Sequence, residues 1–232
     1  MVIGIIAAEN KEMSAIREKM SNIQEECIYD LKFIKGIIEN KECVLVECGV
    51  GKVNAARTVQ IMIDKYSVDY VINVGSAGAT NEELNIEDIV IGEKLVQYDF
   101  DVSGAGNYEK GEICRVGKFF ESDKRLVELC TQTINELKHE EFDIKLGIIA
   151  SADLFCTDPK KAFEVKEEFG AECVEMEGAA VAQVCFLDKI PFLVIRGISD
   201  TPNGNNEVDF HTYLEIVSKR VAVILENLIS KI

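Results

Sequence analysis

Apolar positions along the chain alternate between two patterns. Short continuous runs occur in VIGIIAA at the start, CVLVEC, Tyr70 to Val74, IEDIVIGEKLVQYDFDV, IKLGIIASADLF and IPFLVIRGISD. Such β-branched runs, apolar on both faces, predict strands buried inside a sheet. Between them, apolar residues recur at helical spacing: Met13, Ile16 and Met20, then Ala56, Val59 and Ile63, then Leu126, Leu129, Cys130, Ile134 and Leu137. These predict amphipathic helices packed on that sheet.

Local signals set the boundaries. LKFIKGII and CVLVEC form a meander across a turn at Glu39, Asn40 and Lys41. Ser122 is the predicted N-cap of the helix that follows it, and Pro159 and Gly170 punctuate another. VEMEGAAVAQVCFLD reads as a strand ending near Glu175 and a helix beginning near Glu177, and a long last helix starts at about Val208. GSAGAT predicts a loop in which Gly75 and Gly78 permit unusual backbone angles and close approach to a ligand. SGAGNYEKGE reads as an exposed loop. The whole predicts one α/β domain over residues 1–232, a three-layer α/β/α sandwich around a mixed sheet.

Polar groups stand at five predicted strand ends: Glu12, Ser76, Asp153, Glu175 with Glu177, and Ser199 with Asp200. Open α/β sheets hold ligands beyond such ends, so adjacent strands would bring these groups together. Glu175 and Glu177 lie in an apolar, small-residue segment, where a carboxylate is costly unless paired. The expected division is Glu175 as a structural acid paired with a buried base, and Glu177 at a helix start.

Composition narrows the chemistry. The formal net charge is -16, from 41 acids and 25 bases, and no basic stripe offsets it, which disfavours nucleic acid as a partner. Eight cysteines without a CxxC pair read as small core thiols of a reducing cytoplasm. Neither histidine, His139 or His211, has a partner at metal-ligand spacing, so no metal or other cofactor is called for. MVIGIIAAEN meets an acid at Glu9 without a basic start, which does not suit a signal peptide, and no run is long enough to span a bilayer. GVGKVNAA lacks the phosphate-loop spacing, and no GxGxxG follows the first strand. Acid–base work by carboxylates remains, as in cleavage of a glycosidic bond.

Five strings, MVIGIIAAENKEM, GVGKVNAA, INVGSAGA, VEMEGAA and IRGISD, resemble in order and spacing the nucleoside phosphorylase and nucleosidase superfamily, and within it the methylthioadenosine/S-adenosylhomocysteine nucleosidases. That resemblance implies a phosphorylase-type α/β/α fold, a homodimer, and an adenine thionucleoside and water as reactants. It implies Glu12 as general base for water, Asp200 as the acid at adenine N7 with Ser199 beside it, and Glu177 with Met176 on the ribose. Ser76 and Arg196 would lie around the water, with Ala77, Gly78 and Val50 along the pocket. Phe155 would stack on adenine, the Cys156 backbone would read its edge, and Phe210 would cover the sugar. Val102 would reach the 5′ substituent in the partner subunit's site. Ala105 and Asn107 stand where larger aromatic side chains often occur, with Tyr108 displaced by one, which implies a roomier 5′ pocket that takes S-adenosylhomocysteine or 5′-deoxyadenosine. The chemistry requires a raised pKa at Asp200 and an ionised Glu12. A purine nucleoside phosphorylase and a silent nucleoside-binding protein are the alternatives.

Overall fold

The computed structural model describes residues 1–137, 142–202, 204 and 206–232. His139, weighed above as a metal ligand, lies outside the described residues. Strands are β1 (Val2–Ala7), β2 (Ser21–Ile28), β3 (Leu31–Ile38), β4 (Lys41–Glu47), β5 (Tyr70–Ala79), β6 (Ile89–Gln97), β7 (Phe120–Glu121), β8 (Ile144–Ser151), β9 (Ala171–Glu175) and β10 (Phe192–Asp200). Helices are α1 (Asn10–Arg17), α2 (Lys52–Tyr66), α3 (Lys124–Glu136), α4 (Pro159–Phe169), α5 (Gly178–Asp188) and α6 (Asn206–Lys231).

The strands form one mixed sheet, in which β2, β3 and β4 are the predicted antiparallel meander and β1 runs parallel to both β4 and β5. Two apolar layers cover it. Ala55, Val59 and Met62 of α2 and the small residues of α5 pack on one face. Met13 and Ile16 of α1, Leu126 and Ile134 of α3, and Ile224 and Leu228 of α6 pack on the other. The expected mixed sheet with helices on both faces is therefore present.

The sheet also closes on itself at one end. β5 pairs with β10, β10 with β6, β6 with β8, β8 with β9, and β9 again with β5. Hydrophobic periodicity registers which residues are buried, and it carries no information on which strands become neighbours.

Three local expectations are corrected. The GSAGA segment is part of β5, and neither Gly75 nor Gly78 has a positive φ. Asp123, not Ser122, caps α3, its carboxylate accepting from the Leu126 amide at 3.0 Å; a carboxylate also suits the positive end of the helix dipole. Cys27 and Cys114 are exposed, against the expectation of core thiols, whereas Cys43, Cys48, Cys130, Cys173 and Cys185 are buried.

Candidate active site

β5 is the strand on which the site is built. Along one edge it pairs with β10 from Val71 to Gly78. A strand has only one other edge, and that edge is shared: β1 takes Tyr70 to Asn73 and β9 takes Gly78 and Ala79. Residues 74–77 are left between them, with their backbone facing the gap. Into this gap β1 delivers Glu12 by way of α1, and β9 delivers Glu175, Met176 and Glu177 by way of the turn into α5.

Glu12 is 5% exposed and its carboxylate is held on both sides. Oε2 accepts from the amides of Ala8 and Glu9 at 3.1 Å each. Oε1 accepts from the Ser76 amide at 2.9 Å and the Ser76 hydroxyl at 3.1 Å. Burial raises its pKa against the pull of these donors and of Arg196, which leaves a stronger base than an exposed glutamate.

Asp200 reaches the same space through an irregularity in β10. The register with β5 shifts between Ile198 and Asp200, so Ser199 is the extra residue of a bulge. The Ser199 hydroxyl then donates to Asp200 Oδ1 at 2.8 Å. Gly78 lies opposite, and a Cβ there would come within 2.8 Å of Asp200 Oδ2. What approaches Gly78 closely is thus a carboxylate of the chain itself, where the sequence suggests a ligand.

Glu177 Oε1 accepts from the Gly51 amide at 2.8 Å. Gly51 has φ of 101°, a conformation in which a side chain is strained, and it turns that amide toward the cavity. Burial first, and the neighbouring Glu175 second, raise the pKa of Glu177. Glu175 is the buried structural acid that was expected. It receives Arg196 Nη2 and the Ser151 hydroxyl, and its Oε2 also accepts from the amides of Glu177 and Gly178 at 3.1 and 2.7 Å. Arg196 gives its remaining contacts to Asn73 Oδ1 at 2.6 Å and the Ile195 carbonyl at 3.2 Å. Burial works against the Arg196 charge, but Glu175, Glu177 and Glu12 more than offset it and hold the guanidinium above its ordinary pKa.

These groups surround a cavity of about 470 Å³. It is lined by Glu12, Asp200, Glu177, Met176, Phe155, Cys156, Ser76, Ala77, Gly78, Val50, Ser199, Arg196 and Phe210, thirteen residues singled out from the sequence. Phe155 and Phe210 meet edge to face, ring centroids 5.6 Å apart. Val102 does not line it; this residue precedes the short 3-10 turn Ser103–Ala105. Asp153 is also outside, because its carboxylate is used at the start of α2, accepting from the Lys52 amide at 2.8 Å. Glu9 and His211 line the cavity without having been singled out as site residues. Glu9 sits two positions beyond a buried strand, the signal that identified Glu12, whereas a histidine in a helix start gives none.

Buried carboxylates with separate hydrogen-bond supports around one cavity can hold a proton, accept one, and face a positive charge. A model of the phosphorylase superfamily matches residues 2–230. The chain belongs to that superfamily. Its superfamily relatives include a Staphylococcus aureus protein named 5′-methylthioadenosine/S-adenosylhomocysteine nucleosidase, 35% identical over 232 residues, all of both chains. A solved structure of the nucleosidase of that name from S. pneumoniae, with a transition-state inhibitor, is 36% identical with a TM-score of 0.93 and 99% of each chain covered. A Helicobacter pylori structure named futalosine hydrolase is 32% identical with a TM-score of 0.94, covering 100% of this chain and 98% of that one.

Proposed function

We propose that the chain, acting as one catalytic domain, hydrolyses the N-glycosidic bond of 5′-methylthioadenosine and S-adenosylhomocysteine, and of 5′-deoxyadenosine, releasing adenine. Such an activity belongs to methionine salvage. The relatives' names support the reaction, and the site supports the division of roles. Asp200, kept in place by Ser199, donates a proton to adenine N7 as the bond from N9 to the anomeric carbon breaks, and the bonding pair passes into the purine. Glu12 takes a proton from the water that adds to that carbon. Glu177 and Met176 hold the ribose, and Phe155 and Phe210 cover the base and the sugar. Burial and the neighbouring Glu175 raise the pKa of Glu177, so its ionised carboxylate gains most when positive charge develops on the sugar. That is stabilisation specific to the transition state.

The observation that favours water over phosphate as the acceptor is the contact between Glu12 and Ser76. The carboxylate takes both the amide and the hydroxyl of Ser76, donors at the end of β5 that an incoming anion would need. Arg196, the guanidinium on the cavity, is engaged by Glu175 and Asn73. The test is chromatographic detection of adenine from methylthioadenosine in phosphate-free buffer. Adenine with free methylthioribose is expected. Release only with phosphate present, giving a sugar 1-phosphate, would overturn the proposal.

The assembly is proposed to be a homodimer. Phe186 and Leu187 of α5 are 50% and 56% exposed, and Val53 of α2, which packs on α5, is 77% exposed. A second copy would cover these exposed apolar side chains, and the resemblance implies that Val102 then reaches the partner's site. Light scattering of the purified chain tests it. Eight free thiols suit the cytoplasm, and among the described residues no helix is long and apolar enough to cross a membrane.

A further inference from the structure

Among the titratable side chains that line the cavity, Glu9 and His211 have been given no role so far. Glu9 is the N-cap residue of α1: its amide is one of the donors that hold Glu12, and its carboxylate accepts from the Glu12 amide in a capping box, which leaves it further acceptor positions. The loop carrying Val50 is tied to it, because the Gly49 amide donates to the Ala8 carbonyl at 3.1 Å. Val50 is 45% exposed, so this corner is an open rim on the side of Glu12 and of the Gly51 amide that holds Glu177. Leu154 to Thr157 form a different wall, delivered by the segment after β8. His211 follows Phe210, their rings 5.3 Å apart, on α6, which packs against α1.

Charge at this rim is one-sided. Glu9, Glu12, Glu175, Glu177 and Asp200 all line the cavity, and the one guanidinium among the lining residues is committed to Glu175. Among the described residues no lysine, arginine or histidine pairs with Glu9. A thioether methyl group placed here would face a carboxylate and give it nothing in exchange for lost water. An ammonium group would give it a charge-assisted hydrogen bond. His211 adds a ring N–H donor, which suits the carboxylate of an amino acid whose ammonium has met Glu9.

Taking the nucleosidase reading of this cavity as its basis, we propose that Glu9 is a specificity-determining residue that receives an ammonium group on the 5′ substituent, so that a homocysteine tail is preferred to a bare methylthio group. The contact is made outside the breaking bond and is the same before and during the reaction. It therefore acts on KM more than on kcat.

The test uses the full chain and three 5′-thioadenosines, carrying a methyl group, a 3-aminopropyl group, or the homocysteine tail. In Glu9→Gln, kcat/KM for the aminopropyl and homocysteine substrates, each divided by that for the methyl substrate, is expected to fall about tenfold, through KM. Ratios that move less than about twofold, or a change confined to kcat, would overturn the role of Glu9 and leave the hydrolase reading standing. No adenine from any of the three with the unaltered chain would remove the hydrolase reading, and this inference with it.

Discussion

Arg196 and Glu175 form an ion pair with side chains only 1% and 2% exposed. The pair sits behind the cavity, and its carboxylate also accepts the first amides of α5. It therefore fixes where the helix begins, and Glu177 is the N-cap of that helix. A group with no assigned part in bond cleavage thus determines where Glu177, the carboxylate proposed to hold the ribose, stands.

Removing one member of such a pair leaves the other charged and buried without compensation. Glu175→Ala is expected to lower unfolding free energy by about 3–5 kcal/mol. Urea denaturation of the full chain at neutral pH measures this. A loss below about 1 kcal/mol would mean that water or Glu177 replaces the lost partner, and that the pair does not organise the turn.

Glu177 predicts the opposite sign. Its folded-state pKa is raised, so between the unfolded carboxylate value, about 4.3, and the raised one the folded state binds more protons than the unfolded chain. Stability from this group is thus lost as pH rises through that window. Glu177→Gln can still accept from the Gly51 amide and carries no charge. It should raise Tm by about 2–4 °C at about pH 8, with little change at about pH 4, while activity is lost. A Tm difference that is the same at both values would remove the buried charge as its cause.

The contrast between these two acids marks what the sequence could and could not disclose. An acid within VEMEGAA is legible as a problem, because small apolar neighbours imply burial, and the structural reading of Glu175 follows from that alone. Its partner was not legible as such: Arg196 is 21 positions away, and β9 and β10 are separated by β5 in the sheet. That Glu12, Ser76, Glu177 and Asp200 stand at strand ends was legible, since each follows a buried apolar run, but their convergence depends on the strand order, which the pattern does not carry. Asp153 shows the limit of that rule, as the same position serves to cap α2. The extension of β5 through Ala79 was hidden because glycines resemble loop residues; here they leave room for carboxylates from neighbouring elements.

Gly78 makes that last point testable. A methyl group added there would meet Asp200 Oδ2 at 2.8 Å, and the carboxyl would have to leave its contact with Ser199. Displacement by about 1 Å is enough to lower kcat by about 100-fold. Gly78→Ala should therefore fold, as judged by its far-ultraviolet circular dichroism, and turn over methylthioadenosine about 100-fold more slowly. Activity within about twofold of the unaltered chain would show that Asp200 has freedom the geometry denies it.

Glu12→Gln separates binding from chemistry. The carboxylate accepts four hydrogen bonds, two at each oxygen. A glutamine keeps the shape, but its amide nitrogen must face either the Ala8 and Glu9 amides or the Ser76 amide, donor against donor. The side chain would therefore lose order, and it could not take a proton from water. Turnover should fall by about 100-fold to 10,000-fold, the usual worth of a general base. Affinity for an unreactive adenine nucleoside, measured by calorimetry, should stay within about tenfold, because the groups assigned to ribose and adenine are untouched. The pH profile supplies an independent check. A base must be ionised, so activity of the unaltered chain should decline as pH falls through the raised pKa of Glu12, above the ordinary carboxylate range. That acid limb should be missing from the residual activity of Glu12→Gln. If the limb persisted unchanged in the variant, another group would be the base, and Glu12 would be left with the positioning of Ser76.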